Sequence, residues 1–309
     1  MFPRILAIAH NTFREAARDR VPLALFGSGI AVGLTSLLIA AMSLGRDRAE
    51  VVAVLTCASI SLFSVLSAIV LGASLLYKDL ERKTIFPILA RPIRRWELVV
   101  GKHLGLVATV GTFACLMGAL SLTLTALQRD VGLGRALGGW IVVGVAAVTV
   151  LFRARDASTP FLVLAPLLFA IQIAVVGSLG DLRLLVMISV CLAIIEASIV
   201  AAVAMVFGSF STPFLTAALT FGVVVIGRNA DLLAKLPEKT FGTAVVTFGR
   251  VLSRIVPNLH LYVPPRVVLT GHAGGSSAGY LGEASGYGAL YVVVLLIVSS
   301  LIFRRRDFA

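Results

Sequence analysis

The chain alternates between apolar blocks of about 17 to 30 residues and short charged segments, and this alternation constrains its fold more than any other feature. A helix rises 1.5 Å per residue, so blocks of that length approach or reach the ~30 Å hydrocarbon core of a bilayer. They are too long for strands, and inside lipid every backbone N–H and C=O must be satisfied within the segment, which leaves the α-helix. The six clearest blocks are Val21 to Leu44, Val51 to Tyr77, Leu98 to Leu127, Leu184 to Phe207, Thr212 to Gly227 and Gly288 to Phe303. Two weaker ones, Ala136 to Phe152 and Pro160 to Leu179, are split by Arg153-Ala154-Arg155-Asp156 and read as a hairpin of two further spans. The expected fold is therefore an all-α polytopic membrane protein of eight spans, six of them a core.

Composition agrees. Of the 309 residues 59% are hydrophobic and 14% charged, against about 45–50% and about 25% in ordinary soluble domains. The net charge of +12 would raise nucleic-acid binding in a soluble chain. Among membrane spans such an excess marks the loops on the cytoplasmic face, so no nucleic-acid partner is expected. Lys and Arg number fifteen in the segments 1–20, 78–97, 153–159 and 304–309, against five in the three short loops of the other side. Both termini are accordingly expected in the cytoplasm. Cys57, Cys115 and Cys191 all fall in apolar blocks without CxxC spacing, so neither a disulfide framework nor a metal site is expected.

Two segments outside the spans carry helical periodicity. In residues 2–17, Phe2, Ile5, Leu6, Ala9, Phe13, Ala16 and Ala17 share one face and Arg4, Asn11, Arg14, Glu15 and Arg18 the other. This predicts a helix at the membrane interface with its basic face towards headgroups. The alternative is an amphipathic helix packed on a partner. In the long outer segment 228–287, Phe241, Ala244, Val245, Phe248, Val251, Leu252 and Ile255 form an apolar face, with Arg250 and Arg254 on the polar side and Pro257 as the stop. Pro264-Pro265 and a glycine-rich run through Gly288 follow.

The loop from Tyr77 to Glu97, continuing into Gly101-Lys102, resembles the first cytoplasmic loop of the ABC-2 type permeases, the membrane subunits of a class of ATP-binding-cassette exporters. Glu81, Thr84, Leu89, Pro92, Ile93, Arg95 and Gly101-Lys102 hold the places of that family's acidic residue, threonine, Leu-x-x-Pro-hydrophobic-x-Arg element and Gly-Lys. The start Asn11-Thr12-Phe13-Arg14-Glu15 with Arg18-Asp19-Arg20 looks like the entrance helix of one subgroup. Phe303-Arg304-Arg305-Arg306-Asp307-Phe308 looks like its ending, and Pro257-Asn258-Leu259 is similar to the element after its outer helix. The 136–179 hairpin departs from the six-span family core.

The resemblance implies a permease that is not itself an enzyme. It would work as a dimer, with a second copy or a paralogue, on a dimer of ATPase subunits that bind ATP and Mg. Its place would be the bacterial inner membrane, amid membrane lipids, with a periplasmic protein as a further partner. Asp79, Glu81, Arg82, Thr84, Leu89, Arg91, Pro92 and Arg95 would form the ATPase-coupling element, and the outer segment with Arg250, Arg254, Pro257 and Asn258 a lid. Physically, residues 80–89 can form a short helix with a charged face, which Pro92 stops. No G-x-x-x-x-G-K-[ST] is present, so ATP hydrolysis falls to another chain.

Within the spans, Glu196 lies near the middle of its block, where a charge costs on the order of 2.5–3.5 kcal/mol on insertion scales. It must find a partner or a wet surface, as a functional group or as a hydrogen-bonded carboxyl joining helices. Gln172 has the same two readings. Gly29 with Gly33, and Gly101 with Gly105, have the spacing that permits close helix crossing, within the chain or between copies. His10, His103, His260 and His272 are scattered and form no H-E-x-x-H. Two other classes stay open: a secondary transporter, which should show inverted repeats and broken spans, and a membrane assembly or scaffold subunit that transports nothing.

Overall fold

The computed structural model describes residues 2–43, 47–81, 94–129, 131–153, 158–263 and 277–305. Among them the regular structure is entirely helical. In chain order the α-helices are α1 (Phe2–Ala17), α2 (Arg20–Met42), α3 (Arg48–Glu81), α4 (Arg95–Gln128), α5 (Leu133–Arg153), α6 (Ser158–Val175), α7 (Asp181–Gly208), α8 (Pro213–Arg228), α9 (Ala230–Ala234), α10 (Glu238–Ile255) and α11 (Ser277–Arg305). Short 3₁₀ turns occupy Gly177–Leu179 and Leu259–Tyr262.

Six helices, α2, α3, α4, α5, α7 and α11, are long and apolar enough to cross a bilayer, and the architecture is that of a multi-pass α-helical membrane protein. Two shorter apolar helices, α6 and α8, accompany them. The expected ranking of the blocks shifts in one respect. Ala136 to Phe152, read as weak, lies in the long α5, whereas Thr212 to Gly227, read as clear, forms the 16-residue α8, roughly 24 Å long.

Burial separates centre from rim. In the apolar windows of α3, α4 and α7, 56%, 61% and 61% of residues are buried, against 22%, 17% and 11% in α2, α5 and α11. The first three pack against one another as the centre, α2 lies on α3 and α4, and α11 lies on α7. The rim helices keep Leu34, Leu38, Ile141, Val145, Leu290, Val294 and Ile297 exposed, as a lipid-facing surface requires.

With lipid outside, burial of apolar area gives little preference for helix–helix over helix–lipid contact, so close packing decides. Gly29 and Gly33 seat α2 on Met117 and Leu124 of α4, where an added Cβ would lie 2.5 Å from Met117 Cε and 2.9 Å from Leu124 Cδ1. Gly101 and Gly105 do the same for α1: an added Cβ would meet Ile8 Cβ at 2.7 Å and the Ala9 carbonyl oxygen at 2.4 Å. Both pairs are therefore used within the chain. α1 runs beside the first turns of α4 in the same direction and buries Thr12, Phe13 and Ala16. Phe2 and Leu6 of its apolar face stay exposed.

The α5–α6 hairpin is joined to the centre by a polar knot. Gln172, fully buried on α6, donates Nε2 to Thr123 Oγ1 of α4 at 2.6 Å and to the Ala136 carbonyl of α5 at 2.9 Å. Trp140 Nε1 donates to the same Thr123 oxygen at 2.8 Å. Gly139 leaves room for the Gln172 carboxamide, since a Cβ there would sit 2.6 Å from Oε1. Gln172 thus acts as a joint between three helices, which is the packing reading of the two it allowed.

Candidate functional site: a buried charged junction

Glu196 stands fifteen residues into the 28-residue α7, about 22 Å from its start, and its side chain is fully buried. Four residues separate α7 from the neighbouring α8, which has Pro213 at its first position, where the missing N–H costs nothing. It climbs only sixteen residues and stops at Arg228. The short helix therefore brings a guanidinium to the level of the carboxylate instead of carrying it to the membrane surface.

Arg228 donates Nε to Glu196 Oε1 at 3.0 Å and Nη2 to Oε2 at 3.1 Å, a two-pronged pairing of planar fork and carboxylate. Ser61 of α3 closes the ring: its hydroxyl accepts from Arg228 Nη2 at 2.7 Å and donates to Glu196 Oε2 at 2.9 Å. The Arg228 side chain is 29% exposed, so the junction has one accessible edge. Its cation also sits at the carboxyl end of a helix, where the dipole favours it. Three helices, α3, α7 and α8, are locked together by one ion pair and one hydroxyl.

The segment that follows α8 begins directly on this junction. Gly227 packs under Pro257 and Leu259, where a Cβ would meet the Pro257 carbonyl oxygen at 2.6 Å. Asn258 then organises the turn: Oδ1 accepts from the His260 N–H at 3.1 Å, and Nδ2 donates to Asp231 Oδ1 at 3.0 Å. Four tyrosines fasten the unit to α11. The Tyr287 hydroxyl accepts the Asn258 N–H at 2.9 Å, and Tyr262 donates to the Ala284 carbonyl at 3.0 Å. Tyr291 donates to the Ile255 carbonyl at 3.0 Å, and Tyr280 donates to the Leu261 carbonyl. Burial pushes the Tyr262 phenol above its ordinary range, and nearby Tyr287, Glu196 and Tyr280 add to this, so it stays a neutral donor.

The amphipathic helix expected at 241–255 is part of α10, broken at Gly242, whose φ of 78° takes it out of helical geometry. Val246 and Gly249 are buried, while Val245, Phe248, Val251 and Ile255 of the apolar face are exposed. Arg250 and Arg254 are exposed too.

The coupling-element residues divide. Asp79 and Glu81 lie in the last turn of α3, and Arg95 opens α4 beside Arg94, whose N–H donates to Glu97 Oε2 at 3.2 Å. Arg82, Thr84, Leu89, Arg91 and Pro92 lie outside the described residues, as do residues 264–276 and 306–309. Glu196 and Gln172 belong to separate clusters. Sequence reasoning missed Ser61 and Arg228. The signal for the latter was present, because a sixteen-residue apolar block ending in arginine is too short to carry that arginine across.

On α4, His103 is buried and pairs Nε2 with Ser198 Oγ of α7 at 3.2 Å. No three His, Cys, Asp or Glu residues gather as a metal-binding set among the described residues. A cavity of about 470 Å³ at the ends of α3, α4 and α7 is lined by Asp47, Glu50, Arg129 and Asp181, with Arg129 paired to Asp47. Compared with protein-family models and with curated proteins, the chain matches none.

Proposed function

We propose that this chain is the permease subunit of an ABC-2 type exporter, driven by a separate ATPase subunit through the loop between α3 and α4. The observation that carries the reading is how far α4 extends. Gly29 packs on Met117, which registers α2 on α4 and sets the start of α2, nine residues earlier at Arg20, near the level of residue 108. α2 is 23 residues long, close to one hydrocarbon thickness, so its start marks a membrane boundary. α4 continues thirteen residues further back to Arg95, roughly 20 Å beyond that boundary. α3 likewise continues four residues past the end of its apolar block at Tyr77, to Glu81.

On this reading α3 and α4 reach past that boundary towards the motor, and α1 braces the protruding part of α4 at Gly101 and Gly105. A motor docked there pushes on stiff rods that run into the centre of the bundle. Under this reading both termini are cytoplasmic, all eight apolar helices insert, and α9, α10 and the 259–262 turn form a lid in the outer leaflet. Its exposed apolar face then meets lipid. Because α8 ends at Glu196, the lid is tied to the midpoint of the bundle, and movement of α3 or α7 reaches it through Arg228.

Isolation of the chain from its native membrane tests the reading. An ATPase subunit should co-purify and hydrolyse ATP faster with the permease than alone. Absence of any ATPase partner overturns it. A second reading, a secondary transporter, is favoured by the mid-bundle Glu196–Arg228 pair, since intramembrane ionisable groups commonly carry coupled ions. Transport by the chain alone, driven by an ion gradient and lost in Glu196→Gln, would decide for it. An ATPase partner without any vectorial movement would decide for an assembly role.

A further inference from the structure

An apolar cavity of about 430 Å³ opens sideways where α1, α2, α4 and α6 meet. Its wall is aromatic: Phe13 of α1, Phe26 of α2, Phe113 of α4 and Phe161 of α6, with Leu116 at the inner end. Phe26 and Phe113 meet edge to face, with centroids 6.3 Å apart, and form a stiff back wall. Two threonines in the lining behave as apolar groups. Thr109 Oγ1 donates to the Gly105 carbonyl at 2.9 Å and Thr112 Oγ1 to the Ala108 carbonyl at 2.8 Å, so their hydroxyls are turned back on the helix.

The mouth differs from the wall. Arg18 lines it in the break between α1 and α2, with its side chain exposed, and Arg20 is exposed two residues on. Asp19 between them caps α2, its Oδ1 accepting the Val21 N–H at 3.3 Å. The cavity therefore runs from a basic mouth at the start of α2, the membrane boundary, to Leu116, about one leaflet deeper. α6 completes it, and the His10 Nε2 contact with Thr159 Oγ1 at 3.3 Å ties that helix to α1 below the opening.

We infer that this groove is a binding site for one anionic phospholipid of the leaflet at the N-terminal face, with an acyl chain along the phenylalanines and its phosphate at Arg18. The size and the largely apolar lining with one polar end are those of a ligand site. Charge complementarity selects the occupant: a guanidinium offers a fork of donors to phosphate, and basic groups at a membrane surface favour anionic headgroups. The site gives the α5–α6 hairpin a role, because Phe161 supplies one side of the groove. It depends on the chain crossing a bilayer and on no ATPase.

The test uses the full chain in phosphatidylcholine vesicles containing a trace of phosphatidylglycerol or phosphatidylcholine with a photoactivatable acyl chain, and maps labelled peptides. The phosphatidylglycerol probe should label the segments around Phe113, Leu116 and Phe161, about fivefold or more above the phosphatidylcholine probe. Arg18→Glu should remove that preference and Arg18→Lys should keep most of it. Ala17→Trp, at an exposed lining position that perturbs folding little, should block labelling by both probes. Equal labelling by the two lipids, an unchanged preference in Arg18→Glu, or an unlabelled groove, including one filled by a second copy and detected by cross-linking, would each overturn the inference. Since no motor is needed, these results are independent of the ATPase co-purification.

Discussion

Arg228 ends α8 by gripping Glu196 of α7 with two hydrogen bonds, 3.0 and 3.1 Å long, in the middle of the bundle. Removing Arg228 leaves the fully buried Glu196 carboxylate unpaired, which costs about 3–5 kcal/mol where a buried pair is broken. Arg228→Ala should lower stability by roughly that amount and Glu196→Ala by less, since Arg228 keeps an exposed edge, while Glu196→Leu with Arg228→Leu should cost clearly less than the sum of the single changes. Denaturant titration of the four proteins in mixed micelles checks it. Additive losses would show that the pair is not coupled.

α1 is held on α4 by the absence of side chains at Gly101 and Gly105. Gly105→Leu forces a side chain against the Ala9 carbonyl and should lose roughly 1–3 kcal/mol, the range of overpacking changes. It should also release residues 2–17 to protease while leaving the contact of α3 with α7 intact. Limited proteolysis with and without the substitution reads this directly. Protection equal to that of the unaltered chain would contradict the packing.

Gln172 is the joint of the α5–α6 hairpin. Gln172→Leu leaves the Ala136 carbonyl without its side-chain donor and Thr123 with one donor fewer, a loss of about 1–3 kcal/mol. Hydrogen exchange should quicken in residues 133–175 and stay unchanged in α7. Uniform quickening across the bundle would mean that the hairpin is not a separable unit.

The unit of α9, α10 and the 259–262 turn hangs on Gly227 and the tyrosines of α11 and of that turn. Tyr262→Phe removes one hydrogen bond, to the Ala284 carbonyl, and should cost about 0.5–1.5 kcal/mol. Gly227→Val collides with the Pro257 carbonyl and should cost more. Exchange rates in 238–263 should rank the unaltered chain slowest and Gly227→Val fastest, and the reverse order would contradict the assignment of Gly227 as the seat.

Much of this arrangement was legible in the chain because bilayer-spanning helices are written as long apolar runs, and the boundaries of α2, α4 and α7 fall within a few residues of the blocks that predicted them. Glu196 was legible as a site for the same reason: a carboxylate in such a run demands a partner. Its partner was not, because Arg228 sits where an outer loop was expected, and only the shortness of α8 places it at mid-depth. Ser61 is one serine among several on α3, and nothing local marks the one that faces α7. The use of Gly101 was half legible, since spacing showed that something packs there and only the fold shows that it is α1.

The most direct test of the account is the double charge reversal Glu81→Arg with Arg82→Glu in the reconstituted complex of permease and ATPase, with ATP hydrolysis and export measured together. Under the proposed function hydrolysis should continue while export falls to background, because the substitutions alter the proposed coupling loop and leave the motor unchanged. If hydrolysis and export both stay at the level of the unaltered complex, the 82–93 segment is not the coupling element and the account of this chain as an ATP-driven permease loses its basis.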